Sequence, residues 1–212
     1  MKRIMGYMFV AFLTICLSSL TAAPKKKDNN LMINGSFDDP EDPLKGWCVD
    51  WRWNENANYM FNHEACSIIK QGVRPHVLRV KKSDASEKIA EIKIDSPVVP
   101  FELGCKYKIQ YDYRTMGGGG RIYVIGYYWA PGVMPNKNPH RKELRPCYRG
   151  GIMQPQSFKP TYWKTVTAEF PAKDISKLGM QHLERVELIG VHFYSMNGNE
   201  WFIDNVRIEK TK

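Results

Sequence analysis

The stretch WFIDNVRI, residues 201–208, decides the fold. It is dense in aromatic and β-branched residues, which reads as a strand. Regular alternation then puts Phe202, Asp204, Val206 and Ile208 on one face and Trp201, Ile203, Asn205 and Arg207 on the other. Asp204 therefore falls among apolar neighbours. Unpaired and ionised away from water it would cost roughly several kcal/mol, so it requires a cation, hydrogen-bond donors or a raised pKa.

Working outward from that strand, similar runs recur at 76–82, 88–94, 107–114, 121–129, 164–170 and 186–194, separated by turn-forming stretches such as SPVVPFELG, MGGGG, APGVMPNKNP and MNGN. Only DISKLGMQHLERV, residues 174–186, offers a helical turn or two. Many short strands with Gly and Pro turns imply an all-β, antiparallel two-sheet sandwich. In YKIQYDYR the set Tyr107, Ile109, Tyr111 and Tyr113 faces a core, while Lys108, Gln110, Asp112 and Arg114 face away. The same split in ELIGVHFYS sends Val191 and Phe193 one way and His192 and Tyr194 the other.

The first 23 residues have a basic start, a short apolar run and small residues before Pro24, the layout of a signal peptide. Residues 24–30 are a polar lead-in and residues 31–212 one domain. The expected location is secreted, periplasmic or at the cell surface. A lipoprotein anchored through Cys16 is disfavoured because Ile15 stands where a small residue is expected. No later run is long and apolar enough to span a membrane. The formal charge is +9, or +7 without Lys2 and Arg3, but the basic residues are scattered, which disfavours nucleic acid as a partner.

Cys48, Cys66, Cys105 and Cys147 remain after such processing, and an even count in an exported chain argues for disulfides. Three connectivities exist. Cys48–Cys66 with Cys105–Cys147 is favoured because each bridge closes a local segment.

Near the start of the domain stands NLMINGSFDDPEDPLKGW, residues 30–47, followed in order by HVLRV, SPVVPFELGCKYKIQYDYR, YWKTVTAEFP and GVHFYSMNGNEWFIDNVRIEK. This ordered set resembles carbohydrate-binding modules of the family four, nine, sixteen and twenty-two type, with a galactose-binding-domain-like fold. The resemblance implies a jelly roll whose concave sheet face holds a poly- or oligosaccharide, and a structural calcium at the sandwich edge. On the matching positions the calcium ligands would be Asp38 and Asp204, with the carbonyls of Gly35 or Ser36. Calcium takes six to eight oxygens, and the loop KQGVRPH, residues 70–76, is the expected source of the rest. Such an ion is the expected answer to the Asp204 question; an Arg or Lys salt bridge, or turn amides, is the alternative.

Sugar sites combine aromatic platforms with oriented polar groups. The candidates are Trp51, Trp53, Tyr127, Trp129 and Tyr194 for stacking, and Gln110, Asp112, Arg114 and His192 for hydrogen bonding. Trp47 and Trp163 match positions that the family packs internally. The chain has no G-x-S-x-G elbow, no H-E-x-x-H and no C-x-x-C, and MGGGG lacks the G-K-[ST] of a phosphate loop, reading instead as a hairpin loop. A non-catalytic binder is expected. An adhesion or envelope domain that binds cell-surface proteins stands second, and a small glycan hydrolase or lyase third. The Pro-rich, basic stretch 130–160 reads as an insertion: over Gln110 and Arg114 it would block the groove, whereas as a rim its Arg141, Lys142, Arg145 and Arg149 would favour acidic glycans.

Overall fold

A computed structural model describes residues 29–48, 65–81, 91–116, 119–153, 162–171, 182–196 and 200–212. The signal-like segment and Trp51 and Trp53 lie outside the described residues. Ten strands follow in order among the described residues: β1 Cys66–Gln71, β2 Arg74–Lys81, β3 Glu91–Asp95, β4 Val99–Pro100, β5 Tyr107–Thr115, β6 Gly119–Trp129, β7 Leu144–Met153, β8 Lys164–Phe170, β9 Leu188–Met196 and β10 Glu200–Lys210. They form two antiparallel sheets. Sheet A has the order β1-β2-β10-β5-β8; sheet B has the order β3-β9-β6-β7, with β4 also paired to β9. The chain passes repeatedly between sheets, as a jelly roll does. One such passage leads from β5 in sheet A to β6 in sheet B, so the strands on either side of MGGGG do not pair as a hairpin.

One apolar core lies between the sheets and draws on both. Tyr111 of β5 meets Phe193 of β9 edge-on at 5.4 Å, and Tyr148 of β7 meets Phe170 of β8 edge-on at 5.2 Å. Residues 29–48 strap the end of the sandwich. Leu31 N–H donates to the Ile208 carbonyl at 2.7 Å and Val206 N–H to the Gly35 carbonyl at 2.8 Å, tying this segment to β10. Phe37 and Trp47 then enter the core 4.8 Å apart, and Cys48 bridges to Asp95 of β3.

The alternation expected for β5 and β9 holds, since Tyr107, Ile109, Tyr111, Tyr113, Val191 and Phe193 all join the core. In β10 it breaks. Trp201 and Ile203 are core residues, but so are Val206 and Ile208, because the register shifts between Asp204 and Arg207 and Asn205 adopts φ 50°. An extra residue in a β-bulge changes the parity of everything after it. Asp204 consequently lies with Phe202 on the outer face of sheet A, not among Val206 and Ile208.

Two further expectations need correction. Residues 144–153, read as part of an insertion, form β7 and pair along β6 from Ile122 to Trp129. Residues 144–153 thus build sheet B, whereas Gln110 and Arg114 lie on β5 of sheet A. Among the described residues no disulfide joins Cys48, Cys66, Cys105 or Cys147. Cys105 lies in the turn before β5, beside Glu102 and Lys210, whereas Cys147 is buried on β7 with its Sγ 3.7 Å from the Gly126 carbonyl. Burial pushes the Cys147 thiol up to about 11, which keeps it protonated.

Candidate functional site

The sequence joined the sugar-binding candidates into one groove, but the structure divides them between opposite outer faces. Gln110, Asp112 and Arg114 lie on β5 and face away from the core on sheet A. Tyr127 and Trp129 on β6, with His192 and Tyr194 on β9, face away on sheet B.

On sheet A, Asp204 and Asp112 are directly opposed across β10 and β5. Arg74 Nη1 lies 2.5 Å from Asp204 Oδ2 and 2.9 Å from Asp112 Oδ2. Asn205 Nδ2 donates to Asp112 Oδ2 at 2.8 Å, Thr165 Oγ1 donates to Asp112 Oδ1 at 2.5 Å, and the Asn205 N–H donates to Asp204 Oδ1 at 2.7 Å. The guanidinium also stacks 4.2 Å over Trp163, which is therefore partly exposed on this face and not a core residue. Burial alone would raise the Asp112 carboxyl, yet Thr165, Asn205 and Arg74 hold it below the usual range. Asp204 goes the other way, because its burial outweighs Arg74.

This cluster bears on calcium. Asp204 has Arg74 on one oxygen and a backbone N–H on the other, the Gly35 carbonyl accepts from Val206, and Asp38 Oδ1 lies 2.6 Å from His76 Nδ1. The His76 hydrogen bond, with a further one from Ser36, holds Asp38 below the ordinary carboxylate range. Among the described residues no group of three or more His, Cys, Asp or Glu side chains is placed to hold a metal. Each of these oxygens of Asp204, Gly35 and Asp38 thus has a partner within the protein. The loop expected to complete the calcium shell supplies Arg74 instead.

Sheet B presents a different surface. Tyr123, Ile125 and Tyr127 follow one another on the outer side of β6, forming with Leu144 and Leu188 an apolar cluster that Val98, Trp129 and Tyr194 pack against. At its β3 side Asp95, 0% exposed, has Oδ1 2.7 Å from His192 Nδ1 and Oδ2 3.3 Å from Arg141 Nε. His192 stacks with Tyr194 at 6.0 Å between centroids. Burial, with Asp95 alongside, pushes the Tyr127 phenol strongly up, so it remains neutral. Asp95, Tyr123, the pairing partner Arg74 and the donors Thr165 and Asn205 were not singled out from the sequence as site residues. Alternation in KIAEIKID could have found Asp95, because it shares a face with Lys93 opposite Ile92 and Ile94.

No family model matches the chain, and no curated protein matches it. Among solved structures it is similar to a family 16 carbohydrate-binding module, at 12% identity over 84% of this chain and 99% of that one, with a TM-score of 0.46. It is also similar to a CBM4 structure, at 14% identity over 85% and 99% of the two chains and a TM-score of 0.43. A third is TmCBM61 in complex with β-1,4-galactotriose, at 13% identity over 86% and 99% and a TM-score of 0.41. The sandwich itself rests on the strand pairing of this chain. Among the described residues no helix is long and apolar enough to cross a membrane.

Proposed function

We propose that this protein is an exported, non-catalytic carbohydrate-binding protein that lays a poly- or oligosaccharide across the outer face of sheet B. The observation that carries this reading is the gathering of Tyr127, Trp129, His192 and Tyr194 on that one face, with Trp129 and Tyr194 only partly buried. Tyr194 lies opposite Arg121 and Trp129 ends the same strand, so roughly 26 Å of sheet separates them at about 3.3 Å per residue. That span suits a short sugar chain, with aromatic ends giving contact area and the Asp95-oriented His192 giving direction. The non-catalytic reading is supported by Asp95, whose buried carboxylate is engaged by His192 and Arg141, whereas glycoside hydrolysis requires two carboxyl groups at the ligand.

Affinity electrophoresis against a panel of soluble polysaccharides tests the placement. Trp129→Ala and Tyr194→Ala are each expected to weaken binding about tenfold, while Gln110→Ala, on the other sheet, leaves it unchanged. A loss with Gln110→Ala but not Trp129→Ala would move the ligand to sheet A. Retention of a protein ligand without any glycan affinity would favour the adhesion reading.

Calcium enters as a question about the same edge. Arg74 already pairs with Asp204 at 2.5 Å, so chelator is expected to leave the thermal midpoint of the wild-type protein unchanged. A midpoint that rises with added calcium and falls with chelator would restore the ion to Asp38 and Asp204.

A further inference from the structure

The tyrosine rings of sheet B are not bare. Arg149 places its guanidinium 4.0 Å over Tyr123 and Arg141 places its own 4.6 Å over Tyr127. Lys93 Nζ lies 5.3 Å over Tyr194. A sugar laid on the centre of this face therefore meets cations before it meets rings.

The two arginines are not equivalent. Arg141 faces Asp95 at 3.3 Å and donates to the Ser96 carbonyl at 3.0 Å, so its charge is answered within the fold. Arg149 has no acidic partner among the described residues, and its Nε is buried without a hydrogen-bond acceptor. The side chain as a whole is only partly buried, so a ligand meets the exposed part of the guanidinium, where a neutral hydroxyl would make a hydrogen bond without answering the charge. A carboxylate or sulfate does both, and its planar or trigonal oxygens match the guanidinium fork. The net positive charge, +9 for the full chain and +7 without Lys2 and Arg3, favours the approach of such a ligand.

We propose that the glycan bound on sheet B is anionic, and that one of its carboxylate or sulfate groups seats on Arg149. This rests on the reading of sheet B as the sugar face. The strand that carries Arg149, β7, lies beside β6, so the anion would sit at one flank of the sugar chain while Trp129 and Tyr194 hold its ends.

Isothermal titration of the protein with polygalacturonate, a sulfated dextran, unmodified dextran and a neutral galactan tests it, with polyglutamate as a polyanion that has no sugar rings. One of the two anionic polysaccharides is expected to bind at least about tenfold more tightly than its neutral counterpart, and which of them does so tells uronate from sulfate. Arg149→Gln should lower that affinity about tenfold, and Arg149→Lys, which keeps charge but loses the fork, should fall between. Thermal melting establishes that each variant is folded, and if Arg149→Gln is not, Arg149→Lys carries the test. Equal affinity for charged and neutral polymers, an Arg149→Gln variant that binds as wild type, or polyglutamate binding as tightly as the best glycan would overturn the proposal. Binding confined to neutral glycans defeats the anion assignment while sparing the sugar-binding reading; no glycan binding defeats both.

Discussion

Replacing Arg74 with alanine is expected to destabilise the fold by roughly 3–5 kcal/mol, the usual cost of removing one partner from a buried charged group. Asp112 and Asp204 face each other across β5 and β10, both buried, and Arg74 is the cation that bridges them. Without it two carboxylates repel one another in a poorly hydrated place. The loss should depend on pH. In the variant both carboxyls stay buried but lose the cation that lowers them, so both folded pKa values rise relative to wild type. A raised folded pKa favours the folded state below the unfolded pKa, and that advantage is lost as pH rises through the folded value. The deficit relative to wild type should therefore shrink as pH falls from neutrality towards about 4. The wild-type pair behaves differently because its shifts oppose. Asp112 is depressed and loses its stabilising contribution as pH falls through its folded pKa, whereas Asp204 is raised and becomes less unfavourable over its own titration. Urea unfolding of wild type, Arg74→Ala and Arg74→Ala/Asp204→Asn at neutral and acidic pH measures all of this. The double variant should recover part of the loss; a single variant as stable as wild type at neutral pH would show that the bridge contributes nothing.

The second large effect concerns a residue without a side chain. A Cβ built on Gly35 would stand 1.9 Å from the Val206 carbonyl oxygen, 2.9 Å from its carbon and 3.1 Å from Met32 Cγ. The first two are backbone atoms of β10 and cannot swing aside, so Gly35→Ala must push the strap away from the sheet. That movement breaks the Val206 N–H to Gly35 carbonyl bond and draws on the anchoring of Phe37 and Trp47, which plug the core. A destabilisation of about 3 kcal/mol is expected, combining overpacking with a lost buried hydrogen bond. Chemical denaturation reads it directly. Because the clash is at the edge of the sandwich, the glycan affinity of the folded fraction should be preserved. An unchanged midpoint would mean that the strap does not hold β10 as closely as these distances require.

Much of the fold was legible because strand periodicity is local. The inward tyrosines of β5 and the inward Val191 and Phe193 of β9 follow from alternation alone. The same rule misplaced Asp204, since one bulged residue, Asn205, reverses the parity and nothing in WFIDNVRI announces it. Strand β7 was hidden for a related reason. Pro146, Gly150 and Gly151 weaken its strand signature, and its place beside β6 at the edge of the described sheet tolerates them.

The sequence by itself determined that this chain makes a β-sandwich, and which side of β5 and β9 turns away from the core. Only the tertiary structure decided that Gln110, Asp112 and Arg114 belong to one outer face and Tyr127, Trp129, His192 and Tyr194 to the other. It also decided that the partner of Asp204 is an arginine 130 residues away along the chain. The physical reason is one of range: alternation is set by bonds between neighbouring residues, whereas the companion of a buried charge is set by which distant strands lie side by side.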